Sequence, residues 1–382
     1  MSLKIIGLIV PLILLGAFAA PTILGYVSDD EDPLQYDDYF TTTAASATGA
    51  LELVTSGSTT YAHANSIGEG TLTYADGHTD TYTVTKANLD VLYLTGQSNA
   101  AYNTAYAQVD VANAELAHIP NGMAYYYGSA DIPVQGTDLI NGSSSGPWDL
   151  SDCTMRSMTE IDGTYKLGHI EAALASVICN STDHKLYVIN GGQNGRSITA
   201  WVGTGNGMAL DTQILTEGLD AINQEYYDVH LRGYIWLQGE ADKDKSESWY
   251  IEQWDEVNSV FAEHDLVPCY IIQVNKSMYT NPANAQETIV STHSNVYMGS
   301  TASQTFTVNN GLLWANSTAH YTQAGYDIVG TETAKIIVSH IPVPADVDGA
   351  MSLLFPVIVL MMVIALVLGA VGMIYTRSKT QF

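Results

Sequence analysis

The chain has 382 residues, of which 40 are acidic and 13 basic, giving a formal net charge of −27. This length allows one large domain or two modest ones. So acidic a surface repels nucleic-acid phosphates, which excludes a nucleic-acid partner and suits salty water or a cation-rich envelope.

Two uncharged apolar runs, residues 5–27 and 349–375, lie near the two ends of the chain. Each is long enough to cross a bilayer as a helix. The first run also contains Ala17-Phe18-Ala19, which resembles a signal-peptidase site. The apolar character continues past Ala19 to Val27, which favours a retained anchor over residues 1–27 rather than a cleaved signal peptide.

The charges beside these runs predict their orientation. Lys4 precedes the first run, whereas Arg377 and Lys379 follow the second. Since positive flanks stay in the cytoplasm, both termini are expected there, including a tail over residues 376–382. The domain between the two runs is then extracellular, on a cell or a virion.

Residues 28–88 are predicted to form a juxtamembrane linker followed by a small β-module. The linker, to about residue 45, is acidic and rich in tyrosine. Within the module, residues 70–74 and 79–84 alternate in a β pattern around Asp76-Gly77, which predicts a hairpin.

From residue 89 to 342 the pattern changes to strands alternating with helices. The predicted strands are 89–95, 185–190, 230–237, 268–273 and 295–299. The predicted helices are one around 167–177 and others over 211–227, 246–263 and 322–339. Such alternation predicts an α/β fold, a three-layer α/β/α sandwich around a parallel sheet.

The first of these strands ends in Gly96-Gln97-Ser98-Asn99. A small residue at the end of a strand lets the chain turn sharply, which would present Ser98 at the carboxyl edge of the sheet as a nucleophile. Asn99 is placed to fix that turn. Taken alone, these four residues are equally consistent with an ordinary turn.

Three further segments carry polar groups to the same predicted edge. In the glycine-rich loop after the second strand, the Gly195 backbone N–H can donate to an oxyanion. After the third strand, the Gln238 amide can do the same, and Glu240 can accept from an imidazole. His320 directly precedes the last helix of the domain, where it can act as the base for Ser98. Taken singly, each has an ordinary alternative, such as a flexible loop or a solvated charge.

Together, these motifs resemble those of the SGNH hydrolase superfamily, and more closely its sialate O-acetylesterase and acetylxylan esterase branch (carbohydrate esterase family 6-like). The matching segments are Gly96-Gln97-Ser98-Asn99, Asn194-Gly-Arg-Ser-Ile-x-x-Trp201, Trp236-x-Gln-Gly-Glu-x-Asp242 and His320-x-x-x-x-Gly325. The resemblance covers residues 88–340. It implies a flavodoxin-like α/β/α sandwich and serine ester hydrolysis without metal or cofactor, usually deacetylation of carbohydrate.

The chain departs from the pattern of this branch at two places. Ser317 stands three residues before the histidine, where the branch commonly has an aspartate, so the resemblance leaves Glu240 as the substitute acid. Asn194 and Arg196 replace a glycine and a threonine, and Arg196 is expected to narrow or charge the substrate pocket.

The sequence therefore predicts a membrane-anchored extracellular esterase that removes O-acetyl groups from carbohydrate. Ser98, His320 and Glu240 are the predicted catalytic residues. Gly195, Gln238, Asn99 and Arg196 are predicted to hold the oxyanion and the substrate. The expected partners are an acylated glycan, membrane lipid around the terminal helices, and copies of the chain in an oligomer or surface assembly. The alternative is a catalytically impaired SGNH-like surface or virion protein that binds glycans.

The cysteines and glycosylation sequons leave two further questions open. Cys153, Cys179 and Cys269 lack metal-ligand spacing, and either include one disulfide or serve as small buried apolar residues. Sequons begin at four asparagines and suit an exported glycoprotein, although a chain rich in Asn, Ser and Thr also contains some by chance. They are Asn141, Asn180, Asn275 and Asn316.

Overall fold

A computed structural model describes residues 33–101, 119–128, 150, 153–158, 169–203, 205–315 and 319–341. Both predicted terminal spans lie outside these residues, as do Ser317 and the sequons at Asn141 and Asn316. None of the helices among the described residues has the length and apolar character needed to cross a membrane. The chain divides into two compact units, Met1–Ile336 and Ile337–Phe382, and the site described below lies in the first.

The described part of the first unit has an N-terminal β-module followed by alternating strands and helices. The strands of the module are β1 (Leu34–Gln35), β2 (Tyr39–Thr41), β3 (Ser46–Gly49), β4 (Leu51–Ser56), β5 (Thr59–Ala64), β6 (Gly68–Thr73) and β7 (Thr79–Thr85). The strands that follow are β8 (Ala87–Gly96), β9 (Ala124–Gly128), β10 (Thr154–Ser157), β11 (Lys185–Asn190), β12 (Tyr227–Leu237), β13 (Cys269–Ile272) and β14 (Val296–Ser300). The helices are α1 (His169–Ser181), α2 (Asn206–Asp220), α3 (Glu247–Glu263), α4 (Thr280–Thr292) and α5 (Gln323–Val338), the last of which ends in the second unit.

The strands from β8 onward form one central sheet in the order β10-β9-β11-β8-β12-β13-β14. Every neighbouring pair is parallel except β10 with β9. The segment β11-β8-β12-β13-β14 has the order 2-1-3-4-5 of doubly wound sheets, in which ligands bind at the carboxyl edge where the winding reverses. This confirms the predicted mixed α/β fold. The carboxyl end of β8 is therefore the expected position of a ligand-binding site.

The central strands are apolar because both of their faces are covered. Nine of the ten residues of β8 are buried, as expected for an inner strand of a parallel sheet. On α3, the buried side chains Tyr250, Trp254, Val257 and Phe261 recur at helical spacing and join the core cluster of the sheet. Ser246 caps this helix by accepting a hydrogen bond from the Trp249 N–H at 3.2 Å.

One predicted helix is displaced in the structure. Residues 211–227 were expected to be helical, but α2 begins at Asn206 and ends at Asp220. Tyr227 instead begins β12, where it pairs with Ala87 of β8. Pairing with a strand far away in sequence therefore outweighs the local helical pattern. Strands β9 and β10 and helix α4 were not predicted.

The predicted hairpin of the module is present as β6 and β7, which pair from Thr73 with Thr79. The module contains a four-stranded sheet, β1-β7-β6-β3, and a three-stranded sheet, β2-β5-β4. Strands β1 and β2 lie in the stretch that was expected to be a linker. Leu51, Leu72 and Val84 are buried in a small core of the module itself.

Polar contacts fasten the module to the central sheet. The Lys185 ammonium, on a side chain only 1% exposed, pairs with the Asp38 carboxylate at 2.7 Å. Gln35 accepts a hydrogen bond from the Asn88 N–H at 3.0 Å and donates one to the Asp183 carbonyl at 2.9 Å. A buried ammonium is costly unless it is paired, so Asp38 makes the burial of Lys185 tolerable.

The cysteines carry no disulfide: Cys153, Cys179 and Cys269 are all reduced. Cys179 and Cys269 are buried, and burial raises the pKa of the Cys179 thiol to about 12. A thiol with so high a pKa is not a nucleophile, so these two residues serve as small apolar core residues.

Gly96, at the end of β8, fixes the path of the chain into the following turn. Its φ is +133°, and a Cβ there would overlap the Leu237 carbonyl oxygen of β12. We expect Gly96→Ala to lower the free energy of unfolding by about 3 kcal/mol, because backbone strain and overpacking add. Gly57→Ala is the control, since φ is +59° but nothing lies within 4 Å of its Cβ position, and about 1 kcal/mol is expected. Urea unfolding measures both, and equal losses would contradict the close contact with Leu237.

Candidate active site

Ser98 lies in a tight turn immediately after the central strand β8. Ala100 and Ala101 donate their N–H groups to the Gln97 carbonyl oxygen at 2.8 and 2.9 Å, which closes the turn. The serine is 5% exposed and lies at the carboxyl edge of the sheet. The sequence therefore folds locally as expected, because Gly96 supplies the backbone angle that a residue with a side chain would resist.

The structure brings His320 to this serine. His320 Nε2 and Ser98 Oγ lie 2.9 Å apart, although the residues are 222 positions apart in sequence. The half-buried imidazole has its pKa lowered from 6.5 by desolvation, which favours the neutral ring. A neutral imidazole within hydrogen-bond distance of a hydroxyl can remove its proton, so this pair has the geometry of a nucleophile and its general base.

Asn99 is fully buried beside this pair, and its side-chain amide makes four hydrogen bonds. Nδ2 donates to Glu240 Oε1 and to the Ala319 carbonyl oxygen, both at 2.8 Å. Oδ1 accepts from the Tyr321 N–H at 3.3 Å and from the Tyr326 hydroxyl at 3.2 Å. Both Asn99 amide hydrogens therefore donate to groups of the protein itself. The sequence instead suggested that Asn99 contacts the oxyanion or the substrate.

Glu240 follows β12, as predicted, but its carboxylate is hydrogen-bonded to Asn99 rather than to His320. Oε1 accepts from Asn99, and Oε2 has no hydrogen-bond partner within the described part of the chain. Burial raises the Glu240 pKa to about 7; the Asn99 hydrogen bond opposes this rise, and the nearby Asp242 charge adds to it. The direct contact between carboxylate and imidazole expected from the sequence is not found among the described residues; Asn99 instead links Glu240 to the backbone of Ala319 and Tyr321.

The glycine-rich loop after β11 packs against the Ser98 turn. Gln193 donates its N–H to the Gly96 carbonyl oxygen at 2.7 Å. A Cβ at Gly192 would overlap the Ala101 backbone nitrogen, so the close approach requires glycine. Gly195, at φ +69°, is exposed, and no described residue accepts a hydrogen bond from its N–H.

Gln238 is fully buried, and its amide is occupied within the protein. Nε2 lies 2.6 Å from Asp242 Oδ2, 3.2 Å from the Arg196 carbonyl oxygen and 3.3 Å from Gln97 Oε1. The sequence suggested that Gln238 donates to an oxyanion, but these acceptors already use its hydrogens. The partly buried Arg196 contributes its carbonyl oxygen to this network.

Two residues of the site were missed by reasoning from the sequence. Gln97 Oε1 accepts from the backbone N–H groups of Gly239 and Ala241, at 3.4 and 3.1 Å, and so ties the Ser98 turn to the Glu240 segment. Asp242 accepts from Ser197 Oγ and the Ile198 N–H, which anchors the glycine-rich loop. Both residues lie within the motifs that resemble the SGNH pattern, which could have marked them as residues of the site. The groups to which they hydrogen-bond could not be predicted from the sequence.

The described residues hold no group of three or more His, Cys, Asp or Glu side chains placed to bind a metal ion. Ser317, the residue in the usual aspartate position, lies among residues 316–318, outside the described part of the chain.

Comparisons with known proteins give distant structural similarities. No family model matches the sequence, and no curated protein matches it. A protein of Arabidopsis thaliana is similar at a TM-score of 0.46 and 16% identity, over 66% of this chain and 99% of its own. A carbohydrate acetylesterase from Xanthomonas citri gives 0.44 and 16%, over 81% and 72% of the two chains. The protein NanS gives 0.44 and 13%, over 67% and 98%.

Proposed function

We propose that this protein is a serine ester hydrolase of the SGNH type that removes acyl groups, acetyl above all, from carbohydrate. The observation that carries the proposal is the 2.9 Å contact between Ser98 Oγ and His320 Nε2 at the carboxyl edge of the central sheet. The motif resemblance around both residues supports the choice of an ester of a sugar as substrate.

The proposed reaction has two halves. Ser98 Oγ attacks the acyl carbonyl carbon while its proton passes to His320 Nε2. The carbon–oxygen bond to the sugar then breaks, and the sugar oxygen takes that proton as it leaves. A water molecule next gives a proton to His320 and attacks the acyl-serine, which releases the carboxylic acid and returns the proton to Ser98.

Backbone N–H groups are the proposed donors to the oxyanion that forms during both attacks. No described residue accepts from the N–H of Ser98 or of Gly195, and the Gly195 loop is held against the Ser98 turn by Gln193. Backbone donors fixed in this way stabilise developing charge without reorganisation. Gln238 supports the loop through the Arg196 carbonyl oxygen in this scheme.

The proposed setting is the outer surface of a membrane, with residues 1–27 and 349–375 as anchors. Its support is the sequence: two apolar spans with basic flanks and a strongly acidic domain between them. The expected contacts with lipid and with other copies of the chain stay predictions.

A fluorophosphonate probe tests the serine mechanism on the full-length chain. Attack by an activated Ser98 displaces fluoride and leaves the probe on that residue, which mass spectrometry locates. Release of acetate from an O-acetylated glycan is then measured on the same sample. Ser291→Ala is the control, because this exposed serine on α4 donates only to the Thr288 carbonyl oxygen and should leave labelling unchanged.

Labelling of Ser98 together with acetate release supports the proposal. The alternative, an impaired domain that binds glycans, predicts specific retention on O-acetylated glycan with neither labelling nor acetate release. That result would overturn the hydrolase proposal.

A further inference from the structure

The side chain of Asn99 contacts the backbone on both sides of His320. Its Nδ2 donates to the carbonyl oxygen of Ala319, the residue before the histidine, at 2.8 Å. Its Oδ1 accepts from the N–H of Tyr321, the residue after it, at 3.3 Å. Because Asn99 directly follows Ser98, one side chain fixes the His320 backbone relative to the serine backbone.

The other two hydrogen bonds of the Asn99 amide determine whether its Nδ2 or its Oδ1 faces Glu240. Glu240 Oε1 can only accept when ionised, so it requires the Nδ2 side of Asn99. The Tyr326 hydroxyl lies 3.2 Å from Oδ1 on the other side. A flipped amide would place Oδ1 against both the Glu240 carboxylate and the Ala319 carbonyl oxygen, which is unfavourable.

We propose that Asn99 is a positioning residue that holds His320 in register with Ser98, and that Glu240 acts on the histidine by fixing the Asn99 amide. This inference rests on the proposed hydrolase function. It gives Glu240 a task that does not need a direct bond to the imidazole, and it gives the fully buried Asn99 a task other than binding substrate.

The main test is Asn99→Ala, with kcat and KM measured on p-nitrophenyl acetate using the full-length protein. We expect kcat to fall about 100-fold, because a displacement of the base by about 1 Å costs that much, and KM to change little. Gln273→Ala is the matched control. That amide is equally buried and also donates to a glutamate, Glu287, and to a backbone carbonyl oxygen, that of Ala283.

The described hydrogen bonds of the Gln273 side chain do not involve residues 319–321, so its loss should lower stability while leaving kcat within about twofold. Equal losses of kcat in Asn99→Ala and Gln273→Ala would overturn the inference, since they would reflect destabilisation alone.

A milder pair of variants covers the case in which Asn99→Ala does not fold. Tyr326→Phe removes one hydrogen bond to the Asn99 amide and keeps the ring, so kcat should fall about fivefold. Tyr187→Phe removes an equally buried hydroxyl that donates to the Gly218 carbonyl oxygen at 2.9 Å, away from His320. Its kcat should stay at the wild-type value, and an equal loss in both variants contradicts the positioning role.

A readout that does not need turnover separates this inference from the proposed function. NMR of the 15N-labelled histidine side chains gives the His320 pKa, with His320→Gln identifying its signals. Loosening the ring in Asn99→Ala should expose it and raise that pKa toward 6.5. An unchanged titration would overturn the positioning role, whereas absence of ester turnover in the wild type would overturn the hydrolase proposal alone.

Discussion

Ser98→Ala is expected to lower kcat/KM for acyl ester hydrolysis by at least about 1,000-fold, because the proposed acyl intermediate forms on the Ser98 hydroxyl. The hydrogen bond described for the Ser98 hydroxyl is the one with His320, so removing the hydroxyl leaves the hydrogen bonds of the turn intact. The free energy of unfolding should change by less than about 0.5 kcal/mol. Initial rates with p-nitrophenyl acetate, together with urea unfolding, measure both quantities.

Ser291→Ala serves again as the control and should keep full activity. A decrease of less than tenfold for Ser98→Ala, in a protein that unfolds like the wild type, would remove Ser98 from the mechanism. A large loss of activity in both variants would point to a general effect of preparation rather than to the serine.

His320→Gln is expected to produce the second largest loss, about 1,000-fold or more in kcat, because the base and the acid of both half-reactions are removed together. The wild-type pH profile should also show its acid limb below pH 6.5. Burial lowers the His320 pKa from that value, and only the neutral ring accepts the serine proton. Activity therefore rises as the pH increases through the lowered pKa and then reaches a plateau.

Glu240 is a second titratable group close to this site, and burial raises its pKa to about 7. The groups that interact electrostatically with it are Asp242 and the hydroxyls of Tyr250, Tyr279, Tyr321 and Tyr326. Glu240→Gln separates the contributions of His320 and Glu240 to the pH profile, because a glutamine side chain cannot titrate. If the acid limb belongs to His320, this variant keeps it below pH 6.5, whereas loss of the limb would assign it to Glu240.

Much of the central sheet could be predicted because its strands are short apolar runs that end in polar residues. Residues 185–190 match β11, which is buried throughout, and residues 230–237 lie within β12, which is buried from Gly233 to Leu237. Helix α4 was missed because Thr280–Thr292 has few large apolar residues. Strand β9, Ala124–Gly128, was missed because its three consecutive tyrosines show no alternation, although all are buried.

The approach of His320 to Ser98 was predictable from the sequence, whereas Gln97, Asp242 and most of the hydrogen bonds of the candidate site were not. Ser98, Gly195 and Glu240 each follow a strand of the central sheet, which places them at its carboxyl edge. The partners of an amide such as Gln238 or Asn99 depend on which donors and acceptors fold around it. Asn99 finds Glu240 and Ala319 from segments 141 and 220 positions away, a choice that spacing does not determine.

The contacts between the β-module and the central sheet bear on how this protein can be divided for expression. A fragment that begins at residue 89, the predicted start of the α/β domain, would lack Asp38 and so lose the ion pair that offsets the cost of burying the Lys185 ammonium. It would also lack Ala87 and Asn88, the first two residues of β8, and with them the hydrogen bond from the Asn88 N–H to Gln35. We therefore expect a fragment that keeps the module, beginning near residue 33, to be more stable than one that begins at residue 89.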